Sequence, residues 1–276
     1  MSKQLTVFSK LCVHTLTTKP WNLRQCVENY SAAGIHGITI WRNVLENQNL
    51  QEAKILLDDY GMNVVSVARG GFFPSVEKEK RQASIADNLF CIEQAAAVGS
   101  PLIVLVCGAD GNQSLEKSRE QIKEGILKIL PVAKAAGVNL AIEPLHPMYA
   151  GDRSAINTLA QANKMTEEIN DDFVGVAVDV YHLWWDNNLQ QEITRCGKNG
   201  KLFAFHVCDW NVPTIDFLND RGLMGDGCIP IKKIRGWVEE TGFSGYNEVE
   251  IFSDKYWATD QKMYLEKIKS AYLKHT

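Results

Sequence analysis

Four side chains able to hold a metal ion each close an apolar run. Val138-Asn139-Leu140-Ala141-Ile142 leads into Glu143, and Pro144 stops it. Residues 173–178 end in Asp179, residues 202–205 in His206, and residues 246–249 in Glu250. A buried parallel strand reads as a short apolar run, and a charge at its end is costly unless it is paired or bound to metal. The four are 36, 27 and 44 residues apart, about one strand-plus-helix unit each time. Three carboxylates and one imidazole make an oxygen-rich set that suits Mn2+, Mg2+ or Co2+ better than a thiolate zinc site does. Any one of them alone would pass for a surface residue at a strand end. The repeated placement points to a shared site at one end of a barrel.

Other polar and aromatic residues follow the same runs. His182 comes three residues after Asp179, and His146 three after Glu143. Both open loops, where they could contact substrate or could simply start a helix. His14, near the end of the first run, carries a weaker signal. Glu248 lies two before Glu250, on the same side of a strand but lower, and reads as structural. Trp41, Trp184, Trp185 and Trp210 follow expected strands, and their rings suit the apolar face of a sugar. For a single tryptophan, core packing or a dimer contact is the plainer explanation. Arg42 and Arg69 follow strands and could hold hydroxyls, a carboxylate or a phosphate. Arg69-Gly70-Gly71-Phe72-Phe73 reads as a flexible turn beside a ligand.

These residues need a frame to hold them. Helix-ending glycines followed at once by strands recur at Gly34, Gly61, Gly99, Gly137 and Gly242, where glycine fits the left-handed closing position. The spacing gives repeated βα units. Strands are expected at 11–15, 37–41, 63–68, 102–107, 139–143, 174–179, 203–207 and 247–251. Between them, Ile85, Leu89, Ile92 and Ala96 keep helical spacing, as do Ile122, Ile126, Ile129 and Ala133. Asn22 and Ser114 are candidate N-caps, and Pro131 should kink or shorten its helix. Eight strands without a linker-like stretch predict one domain over residues 1–276, a single (β/α)8 TIM barrel of the α/β class. An open doubly wound sheet would want a Gly-rich phosphate loop after the first strand, and none is there. Residues 209–229 form the longest stretch without periodicity and should lie over the C-terminal face.

Length and charge agree with that frame. The chain has 276 residues, near the roughly 250 of one such barrel. Its net charge of −4 and lack of a dense Lys/Arg run argue against nucleic acid as a partner. No apolar run approaches the roughly 20 residues of a membrane helix. Met1-Ser2-Lys3-Gln4 does not open a signal peptide. Seven cysteines without a C-x-x-C pair, Cys91, Cys107 and Cys208 among them in apolar contexts, read as reduced thiols in a cytoplasmic protein.

The combination Ile142-Glu143-Pro144-Leu145, Val178-Asp179-x-x-His182, Phe205-His206-Val207-x-Asp209, Gly225-Asp226-Gly227 and Glu250 resembles the sugar isomerase/epimerase superfamily of xylose-isomerase-like barrels over nearly the whole chain. The resemblance implies one divalent ion, Mn2+ ahead of Mg2+, Co2+ or Zn2+, held by Glu143, Asp179, His206 and Glu250. It implies a small sugar, sugar phosphate or keto-sugar as substrate and leaves a homodimer or homotetramer open as the assembly. Glu143 and Glu250 would double as acid/base groups for proton transfer next to a carbonyl, through an enediolate. His182 would contact substrate, and Asp209, Arg221, Trp41, Arg69, His146, Trp184 and Trp210 would share the substrate face. Loss of a β-hydroxyl from the same intermediate would make a dehydratase of a keto-sugar or inosose, the alternative reading. A barrel that only binds sugar is a third.

One departure concerns arginine. In the ketose epimerases of this kind an arginine follows the strand-seven histidine closely, whereas position 212 here is Val. Arg221 keeps its spacing to Gly225-Asp226-Gly227 but not to His206. The superfamily also holds apurinic endonucleases, which use three zinc ions and further histidines. The matching strand ends here carry Arg69 and Cys107-Gly108, and the long loop has no histidine, so a trinuclear cluster lacks ligands.

Overall fold

The apolar runs become parallel strands of a closed barrel. The structure, a computed structural model, describes residues 4–276, so the Met1–Lys3 opening lies outside the described residues. In chain order the strands are β1 (Leu11–His14), β2 (Gly37–Trp41), β3 (Asn63–Gly71), β4 (Leu102–Val106), β5 (Asn139–Glu143), β6 (Val174–Asp179), β7 (Leu202–Val207), β8 (Asp209–Trp210), β9 (Arg221–Gly222) and β10 (Asn247–Val249). The barrel closes in the order β1-β10-β7-β6-β5-β4-β3-β2, while β8 and β9 form a separate two-stranded ribbon. All eight expected strands are present, and helices separate successive barrel strands. No helix among the described residues is long and apolar enough to cross a membrane.

Strand alternation sorts the side chains into two layers. Leu140, Ile142, Val176, Val178, Phe205 and Val207 belong to the main core between strands and helices. Ala141, Ala177 and Ala204, at the other parity, cluster with Leu102 and Val104. On β5, β6 and β7 those alanines stand two residues before Glu143, Asp179 and His206. Small side chains thus fill the layer beneath the polar one.

The local signals mostly hold. Gly34, Gly61, Gly99, Gly137 and Gly242 all have positive φ. Asn22 completes a capping box with Gln25, and the Ser114 hydroxyl accepts from the Lys117 N–H. The seven cysteines are free, with all but Cys228 buried.

One expectation needs correction and another is narrowed. Of the two effects expected of Pro131, shortening does not occur: its helix runs from Leu115 to Ala136 and is closed by Gly137. The carbonyl that proline leaves without a donor belongs to Leu127, on the exposed side of the helix, where water can satisfy it. Gly70 and Gly71 are not a flexible turn. They extend β3 and pair with Leu105 and Val106. A Cβ on Gly71 would lie 1.9 Å from the Val106 carbonyl oxygen, so this crossing of β3 and β4 requires glycine.

Gly125, in the Leu115–Ala136 helix that packs against β5, offers a test of the core packing. A Cβ there would lie 2.4 Å from Cδ1 of the buried Phe73 ring. Helix propensity favours alanine by about 1 kcal/mol, but overpacking a full core costs about 1–3 kcal/mol. We expect Gly125→Ala to lower the urea midpoint with an unchanged slope. A raised midpoint would show that the ring can yield.

Candidate functional site

Glu143, Asp179, His206 and Glu250 converge in the barrel mouth. Each offers one ligand atom, these atoms lie within 4.8 Å of one another, and all four side chains are buried. Register brings this about. Asp179 pairs with His206 across β6 and β7, and Glu143 closes β5 opposite Val106. Glu250 sits one residue past β10, its N–H donating to the Val207 carbonyl at 3.2 Å. The strand expected to reach 251 ends at Val249, because beyond that point the chain turns into the site.

Beneath this ring lies a second polar layer that the sequence reading undervalued. His14 Nδ1 is 3.0 Å from Glu250 Oε1, and its Nε2 is 3.3 Å from Glu248 Oε2. Trp41 Nε1 lies 3.2 Å from His14 Nδ1. Thr39 Oγ1 donates to Glu248 Oε2 at 2.6 Å and Ser66 Oγ at 3.2 Å. The Glu248 carboxylate also stands 3.8 Å from His206 Nε2, as an outer partner that orients a ligand histidine does. Glu248 is therefore structural in the sense that it braces the site. His14 was discoverable from β1, where inward parity selects Cys12 and His14.

The site concentrates acidic groups. Four buried carboxyl groups (Glu143, Asp179, Glu248 and Glu250) face one guanidinium and three imidazoles, those of His14, His182 and His206. Burial alone would lower the His206 pKa, but the adjacent Glu143 carboxylate, with Glu248 and Glu250, pushes it up to about 10. Burial likewise opposes His14, yet Glu250 and Glu248 raise it. Burial raises the Asp179 carboxyl, and the like charges of Glu250 and Glu143 outweigh part of the opposing pull of Arg221. Glu250 is held well below the usual carboxylate range despite burial, because His14 and Arg221 flank it.

A divalent cation fits this arrangement. His206 Nδ1 and Glu143 Oε1 are 2.9 Å apart, yet neither is aligned for a hydrogen bond and both are buried. Two lone-pair atoms that approach without sharing an aligned proton are placed as ligands around a common ion are. The donor set is rich in carboxylate, as hard divalent ions prefer.

The spacing problem of Arg221 has a structural answer. Residues 211–220 form the loop of the β8–β9 ribbon, where Arg221 pairs with Trp210. The ribbon returns Arg221 to the mouth although the chain distance from His206 is long. Its Nη1 donates to Glu250 Oε2 at 2.7 Å and to Asp179 Oδ2 at 3.4 Å. Tyr181 and Phe252 flank the guanidinium at 4.4 and 4.5 Å. His182 Nε2 lies 3.4 Å from Arg221 Nη2 and 3.6 Å from Asp179 Oδ2. Burial, then Arg221, holds His182 in its neutral form.

Above the ring is a cavity of about 320 Å3 whose walls include Glu143, Glu250, His182, Arg221, Trp41 and Arg69. This volume is at the lower end of the roughly 300–1,000 Å3 of small-molecule pockets. Leu218 and Asn219 of the long loop also line it, as expected of a loop over the C-terminal face. Tyr149 and Tyr181 hydroxyls pin that loop by donating to the Phe217 carbonyl at 2.7 and 2.9 Å. A larger hollow of about 740 Å3 lies beyond, and Trp41 and Arg69 form part of both walls. It contains none of the four ring residues, whereas Glu143 and Glu250 line the smaller cavity.

Four expected substrate contacts stand behind the cavity wall. Asp209 accepts from the N–H groups of Gly225 and Ile229, both at 2.9 Å, and so ties the long loop together. His146 Nδ1 accepts from the Met148 N–H, and its ring packs between Trp185 and Trp210. Trp210 stacks on Tyr181 at 4.7 Å, and Trp184 packs against Trp210. A position after a strand does not decide between facing the cavity and buttressing the loop beside it. Arg42, in turn, is engaged by Asp87 at 2.7 and 2.8 Å.

Known proteins match the chain in sequence and in fold. Inosose isomerase of Halalkalibacterium halodurans is 24% identical over 275 residues, covering 95% of this chain and 93% of that one. A crystal structure of a Sinorhizobium meliloti protein is similar with a TM-score of 0.93 and 41% identity, covering 96% of this chain and 98% of the other. The crystal structure of an IolI protein with a bound zinc atom has a TM-score of 0.83, at 21% identity and coverage of 95% and 96%. The family model described as xylose isomerase-like TIM barrel spans residues 27–273. With the barrel closed by the strands that carry the ring, and the match running through nearly all of them, this chain belongs to the xylose isomerase-like TIM barrel family.

Proposed function

We propose that the protein is a divalent-metal-dependent isomerase or epimerase of a small sugar, acting by proton transfer next to a carbonyl. One observation carries the reading. Glu143 and Glu250 come from β5 and from the end of β10, strands separated by β6 and β7 in the closed order, and both line the same cavity. A substrate between them would present a different face to each carboxylate. The similarity to an inosose isomerase supports a cyclic or open polyhydroxy ketone as substrate.

Glu143, Asp179, His206 and Glu250 would hold the ion, Mn2+ being best matched to the donor set and Zn2+, Mg2+ or Co2+ acceptable to it. When bound, such an ion supplies Lewis acidity toward a carbonyl oxygen and its neighbouring hydroxyl. One glutamate takes the carbon-bound proton, leaving an enediolate on the substrate, and the other returns a proton from the opposite side. Return to the neighbouring carbon, with the hydroxyl proton passing to the former carbonyl oxygen, isomerises, and return to the same carbon epimerises. His182, neutral and buried, can donate or accept at a substrate oxygen. His14 and Arg221 keep Glu250 ionised.

Glu143→Gln and Glu250→Gln should each cut turnover by at least about a hundredfold, the scale of a lost general base, with metal content measured in the same samples. A screen of keto-sugars and inososes with Mn2+ in deuterated water, read by NMR, gives the activity for this comparison. Near-normal turnover in both variants would reduce the two glutamates to ligands, and a dehydrated product would identify a lyase.

His206→Ala should weaken the affinity for Mn2+ by about tenfold or more, since even the partners that orient ligands are worth that much. Competition with a chelating dye measures it. Unchanged affinity would place the ion elsewhere.

A further inference from the structure

The wall of the cavity away from the ligand ring is basic. Arg69, Arg153 and Lys19 line it. Arg69 stands at the end of β3, directly across the closed barrel from β7, which carries His206. Among the described residues Arg69 makes no ion pair or hydrogen bond, and its guanidinium lies over the Phe72 ring at 4.1 Å. The carboxylate near Arg153 is its exposed neighbour Asp152, 4.0 Å away. Arg42 close by is neutralised by Asp87, so it neither competes for a ligand nor relieves Arg69. Burial first, then the like charges of Arg153 and Arg42, lowers the pKa of Arg69.

The position of Arg69 is built into the sheet. Gly70 and Gly71 pair with β4, the Phe72 N–H donates to the Val106 carbonyl at 2.9 Å, and Phe72 holds a positive φ of 53°. A half-buried guanidinium fixed over a ring, beside a second arginine and without a carboxylate of its own, is a site for an anion.

We infer that the substrate carries an anionic group, a phosphate or carboxylate, at the end remote from its carbonyl, and that Arg69 and Arg153 bind it. This rests on the isomerase reading for the orientation of the substrate but concerns binding alone. A ketose lying across the mouth, with its carbonyl end among Glu143, His182 and Glu250, points its far end toward β3.

The test compares fructose, fructose 6-phosphate and fructuronate, which differ at that far end, by calorimetric titration of the Mn2+-loaded protein. At least one anionic member should bind about tenfold or more tightly than fructose, the scale of a hydrogen bond to a charged group. The better of the two identifies phosphate or carboxylate. Arg69→Met should reduce the preference for the anion over fructose by about tenfold, with Arg69→Lys restoring part of it. Equal affinity for all three, absence of binding by all three, or a preference unchanged in Arg69→Met would overturn the inference. NMR of the same mixtures in deuterated water separates the two proposals. An Arg69-dependent anion preference without any proton exchange would leave the anion site standing and count against the isomerase.

Discussion

The barrel mouth concentrates buried negative charge, and much of the structure around it serves to make that tolerable. Glu143, Asp179, Glu248 and Glu250 are all buried. An ionised carboxylate away from water is costly unless paired. The protein answers with Arg221, wedged between Glu250 and Asp179, and with His14 and His206 held toward their charged forms. With both imidazoles protonated, three cations face four carboxyl groups, and burial pushes one of these, Asp179, up toward its neutral form. A divalent ion among Glu143, Asp179, His206 and Glu250 would favour ionised carboxylates and a neutral, donating His206. The small interior layer of Ala141, Ala177 and Ala204 leaves room for Glu248 and His14 to brace the ring from below.

The loop between β7 and β10 ties this electrostatic problem to substrate access. Its ribbon delivers Arg221, Asp209 gathers its backbone, and the Tyr149 and Tyr181 hydroxyls hold its tip at Phe217. One segment thus places the compensating cation and one wall of the cavity. Opposite it, the β3 end contributes Arg69, which has no carboxylate partner among the described residues. The site is negative where an ion would sit and positive where the far end of a ligand would lie.

Much of this was legible in the sequence. Glycine-closed helices and apolar runs revealed the barrel because they reflect local backbone chemistry. The four ring residues were legible because each ends a run, and in a parallel barrel strand ends share one face. The rest depends on parity and on long-range return of the chain. Glu248 and His14 needed the inward parity of β10 and β1 to be taken seriously. Arg221 was displaced in sequence by a ten-residue excursion, and only the ribbon pairing with Trp210 restores it. His146, Trp184, Trp210 and Asp209 follow strands yet support the loop, because side-chain direction beyond a strand end is set by loop packing that sequence spacing does not encode. Gly70-Gly71 read as a turn because its real constraint, close approach to Val106, is tertiary.

The central claim is that the ring of Glu143, Asp179, His206 and Glu250 is a cation site. Two overlapping sets compete for that role, since His14, His206 and Glu248 also bring ligand atoms together. Anomalous diffraction at the manganese edge, from crystals grown with Mn2+, separates them directly. The account expects one peak per chain, about 2.0–2.2 Å from the ligand atoms of Glu143, Asp179, His206 and Glu250. A peak on the His14–His206–Glu248 set, or none in the barrel mouth, would contradict it.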